Sequence, residues 1–361
     1  LGFIYPNVES VTAFGGEEMS PPRFGKVFIS VKPRNGDFLS DATKRELVQR
    51  LKNYAVAGIV PEFIDLKYLY VELNSTPYYN PSLNDDPDNL KTGVSNALTQ
   101  YSRSIDVNKF GGRFKYSKAV SLIDSIDSSI TSNITLVKIR RNLKAVLGQS
   151  AQYEVCYGNM FHTQETSYNV VSTGFTIEGV TGTVYLADEV INREKGRIFF
   201  FTYTEGGTPT VVKKNAGTVD YMHGEILIDT VNILSTVIAN NVVEIQAIPH
   251  SNDIVGLRDL YVKFDMSNTT INMIQDLIAS GENTSGSRFV HTHSYYTPTF
   301  TRKSNSPVAT GSALLPSTAS STGTTTSSSG TYATSTTTSS TPTTTTTSSG
   351  GGGGSSSGGG Y

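Results

Sequence analysis

The 361-residue sequence lacks several features that define common classes of protein. It has a single cysteine, Cys156, so no internal disulfide can form and nothing in the fold depends on an oxidising compartment. No uncharged apolar run reaches the roughly 18 residues that a membrane-spanning helix needs. The most apolar stretch, residues 226–249, is interrupted by Asp229 and Glu244. Lys and Arg total 29 against 31 Asp and Glu, and the basic excess of a nucleic-acid-binding protein is therefore missing.

Charge is also absent from the end of the chain. Lys303 is the last charged residue, and residues 304–361 consist almost entirely of Ser, Thr and Gly. Such a segment has too little apolar surface to offset the entropy of ordering, so we expect a disordered low-complexity tail. At the other end the chain begins at Leu1 without the pattern of a signal peptide. Residues 1–23 are interpreted as the remnant of a longer N-terminal region.

Residues 24–148 alternate strand and helix patterns. The order β-α-β-α-α-β predicts an α/β two-layer sandwich, with three strands in one small sheet and the helices on one side. Ser40 or Asp41 begins the first helix, Pro61 stops it, and Asp86-Pro87 begins the second. Ser117 is the expected cap of the third helix. The predicted strands are 24–32, 63–73 and 134–139, and residues 75–86 are predicted to form a loop.

Residues 149–303 have a different pattern, with short β-branched and aromatic runs separated by Gly, Asn and Pro. This pattern is typical of an antiparallel β-rich domain. The predicted strands are 153–157, 170–177, 182–186, 197–203, 210–213, 225–228, 242–248 and 260–264. We also expect one short helix at 271–278 and an extended segment at 288–300. The fold class is therefore α+β: a sandwich domain, a β-rich domain and the tail.

The strongest metal-like pattern is His291-Thr-His293, because residues i and i+2 of a strand face the same way. A metal site needs three or four ligands, and no third His or Cys lies nearby in the sequence. His162, His223 and His250 are isolated. We therefore predict no metal ligands and interpret this pair as an exposed polar strand face.

Candidate catalytic residues are equally sparse. Asp124 and Asp127 are spaced to share a helical face, which would suit paired acid–base carboxylates, yet the surrounding serines indicate a solvated face. Cys156 lies in a strand pattern and is expected to be a small core residue rather than a nucleophile. Phosphate-binding and hydrolase motifs are missing. We predict no catalytic residue and no cofactor. A glycan hydrolase using Asp124 or Asp127 ranks last among the hypotheses.

One basic cluster stands out, formed by Lys138, Arg140, Arg141 and Lys144. On a strand, Lys138 and Arg140 would share a face. A solvated edge is the ordinary meaning of such a cluster, and nucleic-acid binding is weakly supported without interleaved aromatic residues. The third interpretation is charge pairing at a subunit interface, where Arg is favoured. We take these four residues as candidate interface residues.

Several segments together resemble one family, the baseplate wedge proteins of T-even-type contractile-tailed phages, within the baseplate-J-like group. The resemblance rests on a series of segments in order, namely 15–18 (GGEE), 21–29 (PPRFGKVFI), 61–65 (PEFID), 114–118 (FKYSK), 123–133 (IDSIDSSITSN), 140–141 (RR), 217–221 (GTVDY), 224–226 (GEI) and 251–255 (SNDIV). These segments lie in the C-terminal portion of such proteins. None is a catalytic signature, so their number and order carry the resemblance.

The resemblance implies a structural protein of the virion, located in the tail baseplate and assembled in the host cytoplasm. Family members form homodimers, join other wedge proteins and build a ring around the central hub that rearranges on tail contraction. No cofactor, nucleic acid, membrane or small-molecule substrate comes with it. The alternative from another class is a secreted or surface adhesin, in which a β-rich binding module stands on the Ser/Thr-rich tail.

Overall fold

The computed structural model describes residues 2, 5–19, 22–56, 58–104, 106–164, 168–204 and 207–276. In these residues the chain forms three α-helices and nineteen β-strands. The helices are α1 (Asp41–Lys52), α2 (Pro87–Ser102) and α3 (Tyr116–Asp124). The strands are β1 (Val8–Gly15), β2 (Lys26–Pro33), β3 (Val60–Phe63), β4 (Lys67–Tyr79), β5 (Lys109–Phe110), β6 (Arg113–Phe114), β7 (Ile130–Lys144), β8 (Ser150–Cys156), β9 (Val170–Ser172), β10 (Phe175–Ile177), β11 (Tyr185–Val190), β12 (Lys195–Tyr203), β13 (Pro209–Asp220), β14 (Glu225–Thr236), β15 (Val242–Ala247), β16 (Ile254–Val255), β17 (Leu260–Phe264), β18 (Thr270–Ile271) and β19 (Ile274–Gln275).

The first part of the chain folds as a small three-stranded sheet, in the order β1-β2-β3, with α1 packed on it. Ser40 caps α1 as predicted, because its side chain accepts a hydrogen bond from the Thr43 amide. The predicted stop at Pro61 is wrong. The helix already ends at Lys52, since Tyr54 is 77% exposed and offers no apolar contact to extend it, and Pro61 lies in β3.

A large mixed sheet forms most of the remaining structure. Its main path is β10-β14-β13-β12-β11-β9-β15-β7-β4-β17-β5, with β8 paired to β14, and β18 and β19 paired to β4. The prediction of a single small sheet for residues 24–148 is therefore wrong, because β2 belongs to a different sheet from β4 and β7. The predicted loop at 75–86 is also partly strand. β4 continues to Tyr79, where pairing with β7 buries Tyr78 and Tyr79.

Helices α2 and α3 lie on one face of this sheet, as the sequence predicts for the helices. Val94 and Leu98 of α2 and Ile123 of α3 join Val71 and Ile139 of the sheet in one apolar core. α2 begins as predicted, with Pro87 at its first position and Asp86 accepting hydrogen bonds from two backbone amides. α3 begins at Tyr116, so Ser117 lies inside the helix and does not cap it.

The second half of the chain is mainly antiparallel β structure, as expected, although β17, β18 and β19 pair parallel with β4. The α+β class is confirmed. The predicted boundary at residue 148 falls between β7 and β8, which belong to the same sheet, and the division into a 24–148 domain and a 149–303 domain stays a prediction. The helix at 271–278 is wrong over its described part. β18 and β19 run parallel to β4 there, and the Asn272 amide donates to the Ser75 carbonyl.

Other predictions lie outside the described residues: the end of that helix, the extended segment at 288–300, His291, His293 and the tail. Among the described helices, none is long and apolar enough to cross a membrane.

The cap of α2 provides a test of the local structure. We expect Asp86→Ala to lower the free energy of unfolding by about 1 kcal/mol, because the amides of Asp88 and Asn89 lose their acceptor. Urea unfolding followed by circular dichroism measures the change. Asp85→Ala removes an equally exposed neighbouring carboxylate that caps nothing, and it should change stability by much less. Equal losses in the two variants would contradict the capping role.

Candidate functional site

The basic cluster lies on β7, the longest strand of the large sheet. Lys138 and Arg140 share a face, as predicted. The expected solvated edge is wrong for three of the four residues, because β7 is a central strand between β4 and β15 and Lys138, Arg140 and Arg141 are buried. Lys144, at the end of β7, is exposed.

Arg140 is the centre of a buried ionic network. Its side chain is 3% exposed, and its guanidinium donates to three carboxylates. Nε donates to Glu72 Oε1 on β4, Nη1 lies 2.9 Å from Glu244 Oε1 on β15, and Nη2 lies 2.7 Å from Asp265 Oδ2 just after β17. Burying one guanidinium among three carboxylates raises its pKa, because their negative charges outweigh the desolvation that acts to lower it. Arg140 therefore stays charged and links four adjacent strands.

Asp265 is held by its own loop. The amide and hydroxyl of Ser267 donate to Oδ1, and Asn268 Nδ2 donates to Oδ2 at 2.8 Å. Burial acts to raise the pKa of Asp265, but these hydrogen bonds and the charge of Arg140 lower it overall. The carboxylate is thus ionised, and its loop holds it in the orientation that faces the guanidinium.

Lys138 and Gln246 complete the network around Glu72. Lys138 is the direct cross-strand neighbour of Glu72, and Gln246 Nε2 donates to Glu72 Oε2 at 2.8 Å. Burial lowers the pKa of Lys138 to about 8, although the nearby Glu72 acts to raise it. With Lys138 charged, two cations face three carboxylates on this face of the sheet.

Tyr70 lies against the guanidinium, with the ring centroid 4.2 Å from Arg140 Cζ. A planar cation over an aromatic face gains electrostatic and dispersion energy, especially where water is excluded. Burial raises the pKa of Tyr70 to about 12, and Arg140 opposes that rise. Every polar contact named in this network is made within the chain, so its chemistry is that of a structural clamp across β17, β4, β7 and β15.

A second buried carboxylate organises the β-rich half. Asp188, on β11, accepts hydrogen bonds from the amides of Asn169 and Val170 and from the Tyr221 hydroxyl at 2.6 Å. Burial raises its pKa despite these bonds. Gly196 has a clear role here, because a Cβ at this position would overlap the Tyr221 hydroxyl. This arrangement also binds strands together.

Several polar groups join the N-terminal part of the chain to the large sheet, beside an aromatic contact between Phe38 and Tyr68. Tyr261 Oη donates to Glu9 Oε1 at 2.8 Å, and Tyr68 Oη donates to the Asp37 carbonyl at 2.8 Å. Arg258 reaches both Glu18 Oε2, at 3.1 Å, and the Ala13 carbonyl, at 2.7 Å. Interfaces of this polar kind allow relative movement more readily than large apolar ones.

The remaining candidate residues are not brought together. Cys156 is half-buried on β8 with Sγ 3.5 Å from Glu225 Oε1, and burial and that carboxylate raise the pKa of the thiol. A protonated thiol is a poor nucleophile. Arg141 points to the opposite face from Arg140 and donates to the Cys156 carbonyl at 2.7 Å.

Asp124 and Asp127 do not share a helical face, because α3 ends at Asp124. Asp124 accepts a hydrogen bond from Asn133. Asp127 caps the following turn, and the Ser129 amide, together with the Ser129 and Asn84 side chains, lowers its pKa. A glycosidase general acid needs a raised pKa, so Asp127 is unsuited to that role.

The described histidines form no metal centre. His162 and His250 stack with ring centroids 6.5 Å apart, and His223 Nδ1 lies 3.0 Å from Asp220 Oδ2 on the exposed surface. Within the described part of the chain, no group of three or more His, Cys, Asp or Glu is arranged to hold a metal ion.

Sequence reasoning missed the acidic partners of Arg140. A signal was available, because Glu72 and Glu244 each interrupt an otherwise apolar strand: VEL at 71–73 and VVEI at 242–245. A single acid within a buried strand needs a cation or hydrogen-bond donors on neighbouring segments, so two such acids point to a polar network. Asp265 carries no such signal, because its position depends on the turn after β17.

Comparison with known proteins agrees with the observed division into sheets. Residues 1–64 match the family model for the baseplate structural protein gp6, C-terminal domain I, and residues 67–142 match that for C-terminal domain III. The resemblance to phage baseplate wedge proteins is confirmed. The change from the domain I match to the domain III match falls between β3, the last strand of the small sheet, and β4, the first strand of the large one.

A curated relative supports the same family. The chain is 24% identical over 149 residues to the baseplate wedge protein gp6 of Enterobacteria phage T4. The match covers 41% of this chain and 22% of that relative, so the chain spans well under two thirds of the relative's length. The family is a structural component of the phage tail baseplate, in agreement with the predicted location in the virion.

The clamp role of Arg140 predicts a large loss of stability on removal. We expect Arg140→Met to lower the free energy of unfolding by about 3–5 kcal/mol, because three buried carboxylates lose their cation. Arg50→Met is the matched control. Its partner Glu46 lies 2.6 Å away on the exposed face of α1, and the expected loss is below about 1 kcal/mol.

Urea unfolding measures both variants. If Arg140→Met is insoluble, Arg140→Lys keeps the charge but loses the three-way geometry, and it should still be less stable than Arg50→Lys. Equal stability of the paired variants would contradict a clamp centred on Arg140.

The lowered pKa of Lys138 predicts that this residue contributes more to the free energy of unfolding as the pH rises. Its pKa is about 8 when folded against the ordinary 10.5, so between these values the unfolded chain binds a proton that the folded chain does not. The contribution of Lys138 should therefore increase from pH 8 towards 9.5, by at most about 1.4 kcal/mol per pH unit.

The measurement is the difference in unfolding free energy between the wild type and Lys138→Met at several pH values. Subtracting the variant cancels other groups, including Cys156, whose raised pKa has the opposite effect. A difference that does not vary between pH 8 and 9.5 would show that Lys138 titrates normally.

Proposed function

We propose that this chain is part of a structural wedge subunit of a phage tail baseplate. It acts through protein–protein contacts, as a homodimer within a ring around the hub, and the ring rearranges when the tail contracts. Its partners are further copies of itself and other wedge proteins. It has no catalytic role, and it binds no cofactor, nucleic acid, membrane or small-molecule substrate.

The observation that carries this proposal is the pair of matches to gp6 C-terminal domains I and III, over residues 1–64 and 67–142, whose boundary coincides with the change from the small sheet to the large one. The matched proteins are a baseplate structural protein and a baseplate wedge protein, which supports a structural role for this chain.

The fold supports a mechanical role in physical terms. The Arg140 network ties four strands from both halves of the chain, so the large sheet can transmit force as a rigid body. The polar contacts of Arg258 and Tyr261 with the small sheet exchange more easily for others. Rigid bodies that move about exchangeable interfaces are a common basis of large structural transitions.

The four candidate interface residues differ in what they offer a partner. Lys138, Arg140 and Arg141 are buried in this chain, so their substitution would act first on folding. Lys144 is exposed and stays the accessible member of the predicted interface.

Purified particles of the virus that encodes this chain provide the test. Mass spectrometry should find its peptides in the tail, in constant ratio to the other tail proteins. Absence from particles, together with presence on a cell surface, would favour the adhesin and overturn the baseplate proposal.

Lys144→Glu should reduce incorporation into particles several-fold because it reverses an accessible interface charge, whereas Lys91→Glu, on the exposed face of α2, should not. Equal incorporation of these two variants would show that Lys144 does not take part in the interface.

A further inference from the structure

One end of the N-terminal small sheet carries an exposed apolar patch, which we call the β3-end patch. Its members are Phe24 (79% exposed), Tyr54 (77%), Val56 (73%), Ile59 (44%) and Val60 (48%). Single exposed apolar side chains are common on protein surfaces, but several at one place are typical of an interaction site.

Backbone contacts hold the β3-end patch together. The Val60 amide donates to the Gly25 carbonyl at 2.8 Å, which places Val60 beside the residue that follows Phe24. The Ile59 amide donates to the Val56 carbonyl at 3.0 Å, and the Tyr54 amide donates to Leu51 at the end of α1. The segment 22–25 and the described residues 52–56 and 58–60 therefore meet at the start of β2 and β3.

The free edge of β3 is poorly suited to adding another strand. Val60 and Ile64 direct their amides to β2, so the alternate positions face outwards, and one of these is Pro61, which has no N–H. A partner would therefore bind the β3-end patch through side chains.

Two basic side chains flank the β3-end patch, and one exposed acid, Glu17, follows Gly16, whose carbonyl accepts a hydrogen bond from the Arg23 amide. Arg23 precedes Phe24, Lys52 lies two residues before Tyr54, and neither forms an ion pair or side-chain hydrogen bond within the described part of the chain. The nearby acid Glu62 is neutralised by Lys26 at 2.7 Å. No acidic residue occurs at 19–25 or 47–61.

We propose that the β3-end patch is a docking site for a different protein, which presents an apolar segment flanked by Asp or Glu side chains. The apolar side chains supply burial, and Arg23 and Lys52 select carboxylates on the partner. This inference deepens the proposed function by specifying the chemistry of one partner. An anionic membrane would also attract exposed aromatic and basic groups. Two cations and a formal net charge of −2 on the whole chain favour a protein partner.

Photo-crosslinking during phage assembly tests the proposal. p-Benzoylphenylalanine is introduced at Phe24 in one variant, at Val56 in a second, and at Leu83, an equally exposed but separate position, as the matched control. Infected cells are irradiated, and the crosslinked peptides are sequenced by mass spectrometry. We expect positions 24 and 56, but not 83, to capture one segment of another polypeptide that contains both apolar and acidic residues.

Charge reversal then tests the recognition. Arg23→Glu combined with Lys52→Glu should reduce that crosslink at least about fivefold, and the double variant Arg23→Lys/Lys52→Arg should preserve it. Both variants change exposed side chains, and unchanged thermal unfolding confirms that they fold.

Several results would overturn the docking site. They are equal crosslinking at 24, 56 and 83, capture of a second copy of this chain, capture of another part of the same polypeptide, capture of lipid, and insensitivity to charge reversal. The experiment uses infected cells and not purified particles. Absence of the chain from particles would therefore refute the baseplate role separately.

Discussion

The arrangement of the large sheet depends on one buried guanidinium, that of Arg140. Arg140 lies in the middle of the large sheet, where an unpaired charge would cost many kcal/mol in solvation. The cost is offset only when Glu72, Glu244 and Asp265 all reach it. Because each acid comes from a different strand, the strand order around β7 cannot change without leaving a charge unpaired. The ionic contacts thus specify the arrangement that the apolar core stabilises.

Much of the local structure could be predicted from the sequence, because it depends on neighbours. Ser40 and Asp86 begin their helices through contacts two or three residues away, and the alternation of Lys138 and Arg140 follows from strand geometry. The separation of β2 from β4 was not predictable in this way, because both strands have the same apolar pattern. Ile271 was misassigned to a helix, because pairing with the distant β4 overrides the local spacing of isoleucines.

Only the cations of the candidate site could be identified from the sequence, because sequence patterns report on near neighbours. The cations lie next to one another in the sequence and could be singled out, whereas their partners lie 68, 104 and 125 residues away. Without Glu72 and Glu244 opposite it, Arg140 has the pattern of a surface residue. The gp6 resemblance supplied the family but not this network, because the resemblance rests on the order of segments and not on contacts between them.

The long separations within the Arg140 network also have a consequence for synthesis on the ribosome. β4, α2, α3 and β7 are complete once residue 144 has emerged, and β4 and β7 can pair at that stage. The other edge of β7, with its buried cations, then has no partner until β15 is made about a hundred residues later. Open strand edges in incomplete chains favour aggregation, and non-local pairing is slow. Glu72 on β4 is already in place, and the remaining positive charge of Lys138 and Arg140 beside this edge opposes premature association until Glu244 and Asp265 arrive.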